Sequence, residues 1–231
     1  NPSKVYSAEN LILFVILLLP QFWVQKVIKK YSVPVETLQG TGGELAQHLV
    51  KRFKLDEVSI EKVENGNDHY NPETKTIALS ESNYDQKSLA AVTIAVHEFG
   101  HALQHKTNYK PLLLRTTLAK FAAVAEKIAS IILIASPFAF ILAKIPAVGL
   151  IMLLAGFTIM CLPVILHIIT LPVEFDASFN RALPILSEGG YLSESAMPIA
   201  KKILTAAALT YVSASLSSLL NFYRWFLILR R

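Results

Sequence analysis

The chain has 231 residues, 53% of them hydrophobic and only 17% charged, with a net charge of +5. That balance is too apolar for an ordinary soluble domain, and the scattered basic residues argue against a nucleic-acid stripe. One cysteine, Cys161, excludes both an internal disulfide framework and a cysteine-rich zinc site.

The first uncharged run, Asn10–Gln25, is closed by Lys26, Lys29 and Lys30. A bilayer core takes about 20 apolar residues, and flanking lysines can snorkel to extend a shorter run. No small-residue cleavage site precedes Lys26, so the segment reads as an uncleaved anchor rather than a signal peptide. Its basic flank lies on the C-terminal side, which predicts a cytoplasmic domain after it.

Residues 31–115 form the main water-facing part. Thr41-Gly42-Gly43-Glu44 has capping-box spacing and opens an amphipathic helix through Leu45, Leu49, Val50 and Phe53. Val58–Val63 alternates as a strand does, and Thr76–Ser80 reads as a second strand. Asn65-Gly66-Asn67-Asp68 and Asn71-Pro72-Glu73 read as turns. A small hairpin or sheet is therefore expected, and its 76–80 strand could hold an extended peptide by main-chain pairing.

Ser88–His105 is an apolar, proline-free run that predicts a buried helix, and it contains His97-Glu98-Phe99-Gly100-His101. Histidines at i and i+4 share one helix face, so both imidazoles can reach one zinc at about 2.0–2.1 Å. Glu98 then faces the open side of the metal, where it can take a proton from water. A chance match would sit on a solvated helix. Here the flanks are Ala90–Val96 and Ala102-Leu103, and such surroundings tolerate two histidines and a glutamate only if something pairs or ligates them. Gly100 lets another segment approach closely.

Two further apolar runs, 128–143 and 145–173, are joined by Lys144-Ile145-Pro146 and predict a membrane hairpin. A large soluble helical core is the alternative, and uncharged runs this long count against it. Because the hairpin crosses twice, the chain returns to the side of His97 at Leu171–Ser178. Glu174 is therefore the candidate third ligand. An acid at the end of a span is costly without a partner, and zinc offsets that cost. His105 is excluded, since it lies about 12 Å along the axis from His97. Asp176 is a weaker candidate, for orienting a ligand histidine from behind. His69 and Tyr70 are weaker candidates for contacting the substrate. The last run, 203–223, is semi-polar through Ser213, Ser215, Ser217, Ser218 and Asn221, so it either spans or packs at the interface.

Thr41–Ala46, Asp68–Pro72, Leu79-Ser80, His97–Gln104 and Leu171–Ser178 together resemble the YugP-type neutral zinc metallopeptidases of bacterial membranes, in order and over nearly the whole chain. More remotely the pattern is similar to HtpX and the CAAX-protease gluzincins, whose third ligand is a glutamate after a membrane hairpin. Position 71 is Asn where the family often has Asp. Ser178 stands where the remoter group often places an aspartate.

The resemblance implies a membrane-bound zinc endopeptidase acting on proteins or peptides, membrane proteins among them. The expected fold is a mainly α integral membrane protein with a small α+β zincin-like domain and three to four transmembrane helices. Its expected parts are an anchor (1–30), the H-E-x-x-H domain (31–115), a transmembrane hairpin (116–173), and the second metal motif with a C-terminal membrane-associated helix (174–231). His97, His101 and Glu174 are the expected Zn²⁺ ligands and Glu98 the catalytic base. A zinc-stabilised scaffold without activity and a small transporter are the other readings.

Overall fold

The computed structural model describes residues 2–64, 67–143 and 146–229. Asn65 and Gly66 of the expected turn, and Lys144 and Ile145 of the expected hairpin bend, lie outside the described residues. The chain is mostly helical with one three-stranded sheet. Helix α1 covers Pro2–Tyr31, and α2 covers Gly42–Arg52. The capping box is present: Thr41 Oγ1 accepts from the Glu44 backbone N–H at 3.2 Å, and the Glu44 carboxylate accepts from the Thr41 N–H at 2.8 Å. Leu45, Ala46, Leu49 and Val50 turn inward, as their helical spacing dictates. A Cβ at Gly42 would meet the Asn83 carbonyl oxygen at 2.1 Å, so only glycine lets α2 lie this close.

The sheet holds β1 (Ser59–Val63), β2 (His69–Asn71) and β3 (Thr76–Ser80), in the order β1-β3-β2. β1 runs parallel to β3, pairing Ser59 with Thr76 and Val63 with Ser80. β2 is antiparallel to β3, pairing His69 with Ala78 and Asn71 with Thr76. Two expectations change. His69–Asn71, set between two turn signals, forms a strand. And β3 is central, with both edges taken, so it has no free edge for an extended peptide. Its burial explains the placement: Thr76, Ile77, Ala78 and Leu79 are all covered.

After the short helix α3 (Glu81–Asp85), α4 runs from Leu89 to Lys106. Ser88 caps it by accepting from the Ala91 N–H at 3.1 Å. Ala95, Val96, Phe99 and Ala102 lie in the main core with Leu49, Ile77 and Leu79. The same core takes Ala182, Leu186 and Leu204 from the C-terminal part. The expected 31–115 and 174–231 portions thus share one interior.

Helices α5 (Lys110–Ala143) and α6 (Pro146–Phe175) pack along each other. A π-helical segment, Asp176–Ala182, continues α6 into α7 (Leu183–Glu188), and α8 covers Met197–Leu229. Among the described residues, Ala147–Glu188 and Met197–Leu220 are long and apolar enough to cross a membrane. The apolar runs near residues 10–25 and 128–143 fall on α1 and α5.

Candidate metal centre

Helix α4 presents His97 and His101 one turn apart, with ring centroids 4.8 Å apart. The end of α6 brings Glu174 to them. Its Oε2 lies 3.2 Å from His97 Nε2 and 3.3 Å from His101 Nε2. The close approach depends on Gly100, where a Cβ would stand 2.8 Å from the Ala177 carbonyl oxygen. Short π segments inside helices often mark functional sites, and this one begins two residues after Glu174.

The rings are held from behind. Gln104 is fully buried, and its amide N–H groups donate to the Val173 carbonyl and to Asp176 Oδ2, both at 2.8 Å. Its Oε1 is therefore an acceptor, 3.0 Å from His101 Nδ1. That places a proton of His101 on Nδ1, so the neutral ring turns its Nε2 lone pair outward. His97 Nδ1 shares a hydrogen bond with the Ser178 hydroxyl at 3.1 Å. The lone pair of His101 thus faces a carboxylate oxygen.

Glu174 Oε2 is buried and receives no hydrogen bond, although both rings stand within ion-pair distance. An arrangement of lone pairs against a carboxylate calls for a cation between them. A second ring proton would serve one histidine, whereas a metal serves both. Two donors about 2.0–2.1 Å from one tetrahedral zinc stand about 3.3–3.4 Å apart, close to the separations found here. These three residues form a group that could hold a metal ion, with all ligand atoms within 4.8 Å of one another.

Glu98 is buried beside this group. Burial pushes its carboxyl up to about 7; His97 opposes the shift, Glu174 and Asp68 add to it, and His69 opposes it. Asp176 accepts from Gln104, from Arg181 Nε at 2.7 Å and from Asn180 at 3.1 Å, so it reaches His101 only through Gln104. His69 is exposed on β2, its Nδ1 bonded to the Asn67 carbonyl at 2.8 Å. Tyr70 shares a 2.8 Å hydrogen bond with His105 Nδ1, and burial pushes its phenol up to about 12.

Three contacts were not foreseen from the residues alone. Gln104 carried a signal, since i+3 from His101 lies on the same helix face. Ser178 was marked only as a departure from a pattern. Arg115 was not singled out by its sequence position, yet its Nη1 donates to Glu174 Oε1 at 2.8 Å.

A family profile described as "putative neutral zinc metallopeptidase" matches residues 7–230. The chain is 36% identical over 210 residues to the "Putative membrane protease YugP" of Bacillus subtilis (strain 168), covering 90% of this chain and 89% of that protein. No solved structure matches. With the profile spanning nearly every residue from α1 to the end of α8, the chain belongs to this family.

Proposed function

We propose that the protein is a multi-pass membrane zinc endopeptidase in which His97, His101 and Glu174 hold the metal and Glu98 is the general base. The observation that carries this reading is the buried, donor-less Oε2 of Glu174 set against two imidazole Nε2 atoms. The donor set of two histidines and a downstream glutamate is gluzincin-like. A zinc ion held there supplies a Lewis acid for the scissile carbonyl and lowers the pKa of a water. Glu98 takes the proton of the attacking water and returns it to the leaving amine. Burial beside the metal group favours a carboxyl that holds a proton readily, which suits both tasks. Gln104 and Ser178 keep the rings aimed while this happens.

Two features support catalysis over a structural zinc site. A structural site is closed by four ligands, and the group among the described residues has three. The base candidate is buried next to it rather than exposed. Protein or peptide substrates follow from the chemistry. On this reading α1, α5, α6 and α8 span the bilayer. The metal group then lies at the interface and on the cytoplasmic side, as Lys26, Lys29 and Lys30 favour. Membrane proteins become accessible substrates. An extended substrate would pair with β2, whose outer edge is free among the described residues and which packs against α4.

The test is Glu98→Gln in detergent-solubilised protein, assayed on casein with and without a zinc chelator. Turnover should fall about 100- to 10,000-fold, the usual contribution of a positioned base, with zinc content unchanged. Normal cleavage by that variant, or by chelated wild type, would overturn the assignment.

A further inference from the structure

The two oxygens of Glu174 have different partners. Oε2 faces the imidazoles at 3.2 and 3.3 Å, while Oε1 accepts from Arg115 Nη1 at 2.8 Å. We propose that Arg115 is a positioning residue that confines Glu174 to one-oxygen ligation and so keeps a coordination place for the reacting water. The proposal rests on the metallopeptidase reading above.

A carboxylate free to turn can offer a metal one oxygen or both, and the second oxygen competes for the place that water needs. Here that oxygen is already engaged by a charge-assisted hydrogen bond, the stronger kind. Guanidinium stays protonated at any working pH and is planar, so it holds both charge and direction. Glu174 is nearly covered, with 4% of its side chain exposed, and Arg115 is only 24% exposed. The pair is therefore largely desolvated, and the carboxylate is held without help from a proton or metal.

Arg115 is also well placed to be rigid. It lies in the second turn of α5, directly after the connection from α4. In that connection the Tyr109 N–H donates to the Gln104 carbonyl at 2.9 Å, and the Leu112 N–H donates to the Tyr109 carbonyl at 3.1 Å. Leu112 is buried and pins the turn. The backbone that bears Arg115 is thus tied to Gln104, the residue that aims His101.

The inference separates Arg115 from an ordinary partner of a metal ligand. Loss of such a partner usually costs about 10- to 100-fold in metal affinity. Loss of Arg115 frees Oε1 to join the metal and leaves a buried negative charge that the metal alone can neutralise. Both effects hold zinc more tightly while taking the place of the water.

The experiment uses full-length protein in detergent, comparing wild type with Arg115→Gln and Arg115→Lys. Zinc affinity is measured by chelator competition, the ligand shell by the visible spectrum of the cobalt(II)-loaded protein, and kcat and KM on casein. Arg115→Gln should bind zinc as tightly as wild type or up to about tenfold tighter, against the 10- to 100-fold loss of an ordinary partner. Its cobalt bands should change intensity, and kcat should drop at least tenfold (~10-fold, a shift of about 1.4 kcal/mol) with little change in KM. Arg115→Lys keeps the charge without the planar fork. It should retain zinc and an intermediate kcat, and it carries the test if the glutamine variant does not fold. Zinc affinity falling together with activity, or kcat and cobalt bands left unchanged, overturns the proposal. Wild type that takes up no zinc would instead overturn the metallopeptidase reading itself.

Discussion

Helices α4 and α6 are both rich in apolar residues and both deliver ligand candidates to one point, yet protein covers most of one and leaves much of the other exposed. On α4, Ala90, Ala91, Ala95, Val96 and Phe99 are completely covered by neighbouring elements. On α6, Leu150, Leu154, Phe157 and Ile168 stand exposed, and α5 beside it exposes Ile131, Ile134 and Phe138. Composition alone does not separate these cases; the neighbours do. A core helix keeps its apolar residues because protein covers them. The hairpin keeps its own, on the reading proposed above, because lipid does. The metal group sits at the join, where α6 ends and the covered core begins.

The strongest way to break this comparison is to remove the contribution of the exposed partner. Glu174→Ala deletes the carboxylate that, among the described residues, faces both rings. Zinc affinity should fall more than about 100-fold, beyond the 10- to 100-fold loss of an outer partner. Competition with a chelator measures it directly, and a variant that still binds zinc like wild type would place the third ligand elsewhere. Next in size is a matched pair of polar substitutions. Ile134→Asp puts a charge on α5 at a side chain that is 73% exposed. In lipid that costs about 2.5–3.5 kcal/mol at a helix centre. Membrane insertion should suffer while thermal stability in detergent barely moves. Ala95→Asn, at a fully covered site of α4, should do the reverse. Equal effects of both substitutions in both assays would mean that the two helices share one environment.

The parts of this organisation that local spacing controls could be read from the residues. The capping box at Thr41–Glu44, the uninterrupted α4, the same-face histidines and the close approach at Gly100 are all of that kind. The meeting of Glu174 with the two histidines was expected from a hairpin that returns the chain to its starting side, and α5 and α6 packed along each other do bring it there. The parallel pairing of β1 with β3 was not legible. Nothing local distinguishes it from a hairpin, and the strand at His69–Asn71 is bracketed by turn residues that masked it. Arg115 was hidden for another reason. Its role depends on where a distant helix end arrives, and a basic residue before a long apolar run has an ordinary explanation already.

Gln104 sharpens the comparison from the α4 side. It joins the covered helix to Val173 and Asp176, and so to the end of the hairpin, through one amide. Gln104→Leu removes the acceptor that holds the His101 proton on Nδ1. It also leaves the Val173 carbonyl without that donor. Zinc affinity should weaken by about 10- to 100-fold, the range for a partner behind a ligand histidine. Gln104→Glu restores the acceptor for His101 but sets a carboxylate oxygen against the Val173 carbonyl and Asp176 Oδ2, so it should recover the affinity only in part. A leucine variant with undiminished affinity would show that the ring needs no such support.

The smallest effect concerns Glu98, and it tests how dry the covered side is. Burial raises its carboxyl from 4.5 to about 7. Between those values the folded chain holds a proton that the unfolded chain has lost. Stability from this group is therefore full below about 4.5 and declines as pH rises toward 7, by at most about 1.4 kcal/mol per pH unit. Chelator-treated protein should accordingly unfold at lower denaturant concentration at pH 7 than at pH 5, and Glu98→Gln, which cannot ionise, should lose most of that difference. The informative quantity is the gap between the two proteins at each pH. A gap that stays constant from pH 5 to pH 7 would mean water reaches Glu98 freely. The α4 side of the centre would then be as open as the α6 side.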